Sequence, residues 1–247
     1  MARADQLLVE NGLAASRTAA QRLIAAGRVS WPGGIVKKPA LDLPSETTLT
    51  VQSDPEDRFV SRGGLKLAGA LAETGISVSA KRCLDVGQST GGFSDCLLQA
   101  GAGHVVGVDV GHGQLSRRLF GEARLTALEG INCRSLTAAD LGEHFPAKGF
   151  DLIVGDVSFI SMTLILPQLP ALLAADGDIL VLIKPQFEVG PENIGKGGIV
   201  RDPALYGEVE SKLRKSAQNL GLTVRRWLDS PITGGDGNRE FFIWLNK

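Results

Sequence analysis

The sequence predicts an α/β protein, an open and mostly parallel sheet covered by helices on both faces and preceded by a small α+β unit. Three observations predict it. From Ser61 onward short apolar strands alternate with helical stretches, the βαβ rhythm of a parallel sheet. The last two strands are separated only by the glycine-bearing segment 230–238, too short for a crossover helix, so they must run antiparallel to each other. Ahead of the alternation, residues 1–52 follow a separate pattern of two short helices and a few short strands.

In that first unit the spacing predicts a helix over 5–10, ended by Asn11 and Gly12. Ser16 caps a second helix that closes at Gly27, with Ala20, Leu23 and Ile24 on one face and Arg17 and Gln21 on another. Strands around Val29, around Ile35 and Val36, and over 49–51 follow, joined in part by the turn Pro32-Gly33-Gly34. Arg3, Arg17, Arg22, Arg28, Lys37 and Lys38 stand against only Asp5 and Glu10 between residues 1 and 40, in a chain whose formal net charge is -1. Such a local excess points to a phosphate-contacting patch rather than a solvated face alone. The polar, proline-bearing stretch Gln52-Ser53-Asp54-Pro55-Glu56-Asp57 suits a linker. The expected division is 1–52, a linker over 53–60, and a second domain over 61–247.

In the second domain strands are expected over 83–86, 104–109, 151–156, 178–183, 223–228 and 241–245, with helices over 93–100, 115–119, 164–173 and 204–220. The last helix is well signalled: Asp202 can cap it, Pro203 takes its first position and Gly221 follows its end. A mostly parallel sheet whose final strand reverses is the arrangement of class I methyltransferases.

Composition narrows the class further. Apolar residues make up 43% of the chain, ample for packed cores. Cys83, Cys96 and Cys133 form no CxxC pair and are odd in number, which speaks for a reducing, cytoplasmic setting rather than a disulfide framework. Apolar runs such as 179–183 are of strand length, far below the roughly 20 residues a spanning helix needs, and the N-terminus has no apolar signal core. Neither export nor a membrane anchor is expected. His104, His112 and His144 are too scattered to suggest a metal site.

The most informative stretch is Cys83-Leu84-Asp85-Val86-Gly87-Gln88-Ser89-Thr90-Gly91-Gly92-Phe93: a strand ending in an acidic residue, a glycine-rich turn, and a helix with Phe93, Cys96, Leu97 and Ala100 on one face. The next strand ends at Asp109, where an acidic side chain accepts hydrogen bonds from ribose hydroxyls. A pyrophosphate-bearing dinucleotide wants GxGxxG, whereas here the glycines stand as GxxxGG. S-adenosylmethionine has no phosphate and carries cationic groups, which an acidic residue beside the turn favours. Asp85, Gly87, Ser89, Thr90, Gly91, Gly92, Phe93 and Asp109 are therefore the expected cofactor residues.

Reacting groups of an open parallel sheet collect outside the carboxyl ends of its strands. Asp156 ends one such strand and Lys184 the next. If the reversed last strand pairs with the Lys184 strand, Glu240 becomes a neighbour of Lys184. Lys66 precedes the first strand of the sheet on an expected helix, with Leu67, Ala68, Leu71 and Ala72 inward, and periodicity does not place it. Each of these residues alone could be a salt-bridge partner; the combination carries the weight. Methyl transfer to a ribose hydroxyl needs an in-line oxygen whose proton is drawn away, which lysines and carboxylates together can do. Asp156-Val157-Ser158-Phe159 is not the DPPY type of strand end used for base N-methylation, and no cysteine ends a strand at this edge for C5 chemistry, so oxygen is the expected acceptor.

These blocks resemble the TlyA family, also labelled haemolysin A, whose catalytic domain is FtsJ-like. The resemblance spans essentially the whole chain: an S4-type RNA-binding pattern from Arg3 to about Val51, Ser61-Arg62-Gly63-Gly64-Leu65-Lys66-Leu67, the glycine turn, Asp109-Val110-Gly111-His112-Gly113-Gln114-Leu115, Asp156-Val157-Ser158-Phe159-Ile160-Ser161, Lys184-Pro185-Gln186-Phe187-Glu188 and Gly237-Asn238-Arg239-Glu240. It implies a Rossmann-like class I methyltransferase with a seven-stranded sheet behind an S4-type domain. It further implies 2'-O-methylation of cytidine in ribosomal RNA, with Lys66, Asp156, Lys184 and Glu240 as a catalytic tetrad. Gln88 departs from the small residue usual at its position, and His112 from a common tyrosine.

Two other readings compete. A membrane-active haemolysin would need a spanning segment or a long basic amphipathic helix, and the sequence offers neither. An RNA-binding protein with a degenerate catalytic fold is opposed by the intact set of Lys66, Asp156, Lys184 and Glu240.

Overall fold

A computed structural model describes residues 1–14, 16–52 and 55–247 and divides the chain into two compact units, 1–58 and 59–247. Of the expected linker, Ser53 and Asp54 lie outside the described residues. The rest is shared between the units. A 3-10 turn over Pro55–Arg58 closes the first, whereas Phe59 and Val60 are built into the second. Phe59 is buried against Gly64, where an added Cβ would lie 2.3 Å from its ring, and the Val60 amide donates to Asp95 Oδ2 at 2.8 Å.

The first unit contains β1 (Ala2–Arg3), α1 (Ala4–Glu10), α2 (Arg17–Ala25), β2 (Val29–Trp31), β3 (Gly34–Ile35), β4 (Asp42–Leu43) and β5 (Thr50–Val51). The Ser16 side chain accepts from the Ala19 amide at 3.2 Å, capping α2 as expected. Ala20 and Ile24 of α2 meet Leu7 and Leu8 of α1 and Val29, Val36, Leu43 and Leu49 in one small core. Strand β2 pairs antiparallel with β3 and β5, and β1 with β4.

The second unit runs α3 (Gly63–Thr74), β6 (Arg82–Val86), α4 (Gly92–Gln99), β7 (His104–Asp109), β8 (Leu125–Glu129), α5 (Ala138–Leu141), β9 (Phe150–Gly155), α6 (Leu169–Leu172), β10 (Leu173–Ile183), α7 (Leu205–Asn219), β11 (Thr223–Asp229) and β12 (Phe241–Asn246). The seven strands form one sheet in the order β11-β12-β10-β9-β6-β7-β8. Only β12 opposes its neighbours. Apolar residues on the two faces of the strands form two cores. One includes Leu166, Leu169 and, from α7, Val209, Leu213 and Ala217. The other includes Leu67 and Leu71 of α3 with Phe93, Cys96 and Leu97 of α4. The sheet is therefore covered on both sides, as a parallel sheet requires.

The structure corrects several element expectations. The helix expected over 164–173 is a pair of 3-10 turns followed by the single turn α6, because Pro167 and Pro170 remove amide donors and obstruct the preceding turn. The chain then enters β10 directly at Leu173, five residues before the expected strand, and the β9 register shifts between Leu173 and Asp178. The 115–119 segment makes only a 3-10 turn, Arg117–Leu119, capped by Ser116. Helix α7 starts at Leu205 rather than at Pro203, since the Asp202 side chain turns the chain ahead of it by accepting from the Ala204 amide at 2.9 Å. In α3, Ala70 is buried and Ala72 exposed, the reverse of the expectation for Ala72. Strand β8 has no counterpart among the expected elements.

Candidate active site

The carboxyl ends of β6, β7, β9 and β10 and the start of β12 gather the polar residues. Between β6 and α4 the backbone at Gly87 has φ 84° and approaches the β9 end so closely that a Cβ would lie 2.9 Å from the Asp156 carbonyl oxygen. Glycine is required there by both conformation and space. Asp109, ending β7, accepts from the Ser89 amide through Oδ2 at 2.8 Å and from the Gly111 amide through Oδ1 at 2.7 Å. One carboxylate thus ties the glycine turn to the next strand end and still has lone pairs to offer.

Asp85 does not reach this surface. It is fully buried, borders neither of the two hollows over the turn, and its Oδ2 accepts from Ser94 Oγ at 2.7 Å while Oδ1 has no hydrogen-bond partner. Burial raises its carboxyl to about 7. Gln88 Nε2 donates to Ser94 Oγ at 2.8 Å, completing a buried Asp85-Ser94-Gln88 chain. The large side chain at position 88 is accommodated because β7 has Gly107 beneath it, where a Cβ would lie 1.9 Å from Gln88 Nε2. The structure thus places Asp85 beneath the turn, which it supports from below. Gly91 also borders neither hollow; it begins α4 with φ 90° and packs against Leu119.

The two hollows meet over the glycine turn. The larger, about 450 Å³, is bordered by Gly87, Ser89, Asp109, Val110, Asn132 and Val157 among others. The smaller, about 140 Å³, is bordered by Thr90, Gly92, Phe93, Ser61 and Lys184 among others. Gly87, Ser89, Asp156 and Ser158 border both. A volume of this order suits a nucleoside-sized ligand. Apolar Val110, Val157 and Ile160 offer faces to a flat base, and Asp109 offers acceptors to ribose hydroxyls. The residues present fit S-adenosylmethionine.

Two ion pairs stand at this edge, and both members of the first, Asp156 and Lys184, border the smaller hollow. Lys184 Nζ lies 2.5 Å from Asp156 Oδ1 and donates to Ser158 Oγ at 2.7 Å. Lys66 Nζ lies 2.5 Å from Glu240 Oε2, both side chains being almost wholly buried. Antiparallel pairing of Ile183 with Phe241 brings the Lys184 and Glu240 positions together, in agreement with the sequence expectation, and α3 delivers Lys66, which the sequence could not locate. Burial pushes the Glu240 carboxyl up; Lys66 and then Lys184 oppose this and Asp156 reinforces it, so all four charges act as one cluster.

Sequence reasoning missed Ser158 and Phe159. Phe159 is 91% exposed, has φ 64°, and its ring centroid lies 5.3 Å from that of Phe187. A polar-to-aromatic step directly after the Asp156 strand end was the available signal. Cys133 also borders the larger hollow, but burial pushes its thiol up to about 11, so it stays protonated near neutrality. His104 meets Thr126 at 3.0 Å and His112 lies 3.7 Å from Glu129. Among the described residues no cluster of three His, Cys, Asp or Glu side chains could hold a metal ion.

In the first unit the basic residues divide. Asp5 is buried and accepts from Arg3 at 3.0 and 3.1 Å, from Arg17 at 3.1 Å and from Gln21 at 3.0 Å. Arg28 is engaged with Asp57 and the Gln52 carbonyl. Arg22, Lys37 and Lys38 are exposed.

The sheet order, the glycine turn with Asp109, and the hollow that fits the donor define a class I S-adenosylmethionine-dependent methyltransferase. Known proteins narrow the class. A model of the FtsJ-like methyltransferase family matches residues 59–247. The 16S/23S rRNA (cytidine-2'-O)-methyltransferase TlyA of Mycobacterium tuberculosis is 46% identical over 244 residues, covering 99% of this chain and 89% of that protein. A solved hemolysin structure from Streptococcus thermophilus is 40% identical, with a TM-score of 0.76 over 100% of this chain and 88% of that one. An S-adenosylmethionine dependent methyltransferase from Mesorhizobium loti shares the fold at 14% identity, with a TM-score of 0.54 over 72% of this chain and 96% of that one. This chain belongs to the FtsJ-like methyltransferases, in their TlyA and haemolysin A branch.

Proposed function

We propose that this protein transfers a methyl group from S-adenosylmethionine to the 2'-oxygen of a cytidine ribose in ribosomal RNA. The observation that carries the reading is Asp156, which borders the donor hollow while paired at 2.5 Å with Lys184 at the reactive edge. The name of the M. tuberculosis relative supplies the nucleoside and the RNA class.

Asp109 would hold the donor's ribose hydroxyls, and Gly87, Ser89, Thr90, Gly92 and Phe93 would line its site. Bound there, S-adenosylmethionine supplies an electrophilic methyl carbon on a cationic sulfur. The 2'-hydroxyl of the substrate settles against Lys184 Nζ, whose ammonium orients the oxygen. Asp156 takes up the hydroxyl proton, so the attacking oxygen becomes a competent nucleophile. Lys66 and Glu240 form the second pair behind it, holding the charge of the edge fixed in a poorly solvated place. Phe159 presents an exposed ring on which a nucleobase can stack.

Residues 1–52 act as an S4-type RNA-binding domain, with 53–60 as linker and 61–247 as the methyltransferase domain. Within the first, Arg22, Lys37 and Lys38 supply phosphate contacts from exposed positions. Arg3, Arg17 and Arg28 contribute from positions already fixed by carboxylates. The substrate is ribosomal RNA or a ribosomal subunit, and the place of action the cytoplasm. No helix among the described residues is long and apolar enough to cross a membrane.

The test is to incubate the protein and methyl-labelled donor with separated ribosomal subunits and to map the label. Label on a cytidine 2'-oxygen is expected. Label on a base, or none in either subunit, overturns the reading.

A further inference from the structure

Glu188 follows the Lys184 strand end by one short turn and does no chemistry that the reaction calls for. It borders neither hollow, and its side chain is 2% exposed. Buried carboxylates are tolerated only when their lone pairs are met. Here Oε2 accepts from Ser161 Oγ at 2.6 Å and from Lys212 Nζ at 2.9 Å, and Oε1 accepts from the Met162 amide at 2.6 Å. Lys212 also donates to the Glu188 carbonyl at 3.0 Å. The three donors come from the segment that follows Asp156 and from α7.

These bonds close a ring. The chain runs from Asp156 to Ser161, crosses to Glu188, returns along its own turn to Lys184, and meets Asp156 again through the ion pair. Phe159, whose φ of 64° is unfavourable for a bulky side chain, lies inside the ring. Such a conformation persists only where the flanking chain is held on both sides, and Glu188 holds the far side.

We infer that Glu188 is a positioning residue: it fixes the segment from Asp156 to Ser161 against the Lys184 turn, and so sets the Asp156–Lys184 geometry and the presentation of Phe159. The inference rests on the methyltransferase reading above. Misplacement of reacting groups by about 1 Å can cost roughly 100-fold in rate.

The test is the single-turnover rate of methyl transfer at saturating donor and ribosomal RNA, with the full chain. Absence of transfer by the unmodified protein would fail the functional reading itself. Given transfer, Glu188→Ala should slow it about 10- to 100-fold at temperatures well below its melting midpoint. Glu188→Gln can still accept from Met162 and donate to Ser161 while giving up Lys212, whose side chain is exposed enough to turn to water, and should recover most of the rate. A residue that only stabilises the fold would lower the melting midpoint of Glu188→Ala and leave this rate alone, and that result overturns the inference, as does Glu188→Gln being as slow as Glu188→Ala. If Glu188→Ala does not fold, Ser161→Ala decides: a slower rate with a nearly unchanged melting midpoint supports the positioning role, and an unchanged rate refutes it.

Discussion

Lys66 Nζ and Glu240 Oε2 lie 2.5 Å apart, although the lysine rides on a helix that precedes the sheet and the glutamate stands at the start of its last strand. The two side chains are almost completely removed from water, so neither tolerates loss of the other. Lys66→Met should destabilise the protein by about 3–5 kcal/mol, measured by urea unfolding. Combining it with Glu240→Gln should return much of that stability while methyl transfer stays absent. Equal stability of the single variant and the parent would show that the pair is not buried as described.

The Asp156 and Lys184 pair is more open and its removal should separate folding from chemistry. Lys184→Ala and Asp156→Ala should each lower methyl transfer by about 100- to 10,000-fold with the circular dichroism spectrum and cooperative unfolding retained. Unchanged turnover in both would remove the edge from the reaction.

Stability should depend on pH through Asp85. Burial raises its carboxyl from the ordinary 3.8 to about 7 in the folded protein. Between about pH 4 and pH 7 the folded state therefore holds a proton that the unfolded state has released, so stability falls as pH rises through that window and levels off above it. The slope contributed is at most about 1.4 kcal/mol per pH unit. Asp85→Asn, which can still accept from Ser94, should flatten it. Urea unfolding of both proteins at several pH values between 4.5 and 8 is the measurement, and identical slopes would place the titration elsewhere.

The basic residues of the first unit should behave unequally. Changing Arg22, Lys37 and Lys38 together to Ala should weaken RNA binding and flatten its dependence on salt, by up to about one unit of log–log slope for each phosphate that is no longer neutralised. The fold should be little affected. Arg3→Ala or Arg17→Ala should destabilise the unit as well, because Asp5 is buried and stays charged by virtue of its arginine partners, Arg3 foremost, which hold its carboxyl far below the usual range. A salt dependence identical to that of the parent in the triple variant would count against the phosphate patch.

Much of this was legible in the residues because it depended on local pattern. The β6 strand, glycine turn and α4 stand where spacing put them. That Lys184 and Glu240 would be neighbours followed on the condition that the reversed last strand pairs with the Lys184 strand, which it does. What stayed hidden depended on contacts between distant segments or on weak patterning. Helix periodicity placed Lys66 on a helix, but only packing of α3 brings it to Glu240. Strand β8 lies at the sheet edge with mostly half-buried residues, so it lacks the apolar run that marks its neighbours. A strand-end carboxylate ordinarily faces the ligand, so the sequence directs Asp85 to the surface; in the structure it instead accepts from Ser94 underneath the turn, a contact between side chains nine residues apart that spacing does not reveal. Glu188 was visible only as the end of the block that begins at Lys184; its contacts were not, because its partners lie in other segments.

The reversed strand β12 sits inside the sheet, between β10 and β11, although every other strand precedes it along the chain. Strands β10 and β11 follow one another along the chain through α7, yet in the sheet they are joined only through β12, which comes later than both. Among the described strands β11 pairs with β12 alone, and Glu240, at the start of β12, is the carboxylate that meets Lys66. A change that disturbs β12 should therefore reach the sheet and the Lys66–Glu240 pair at once.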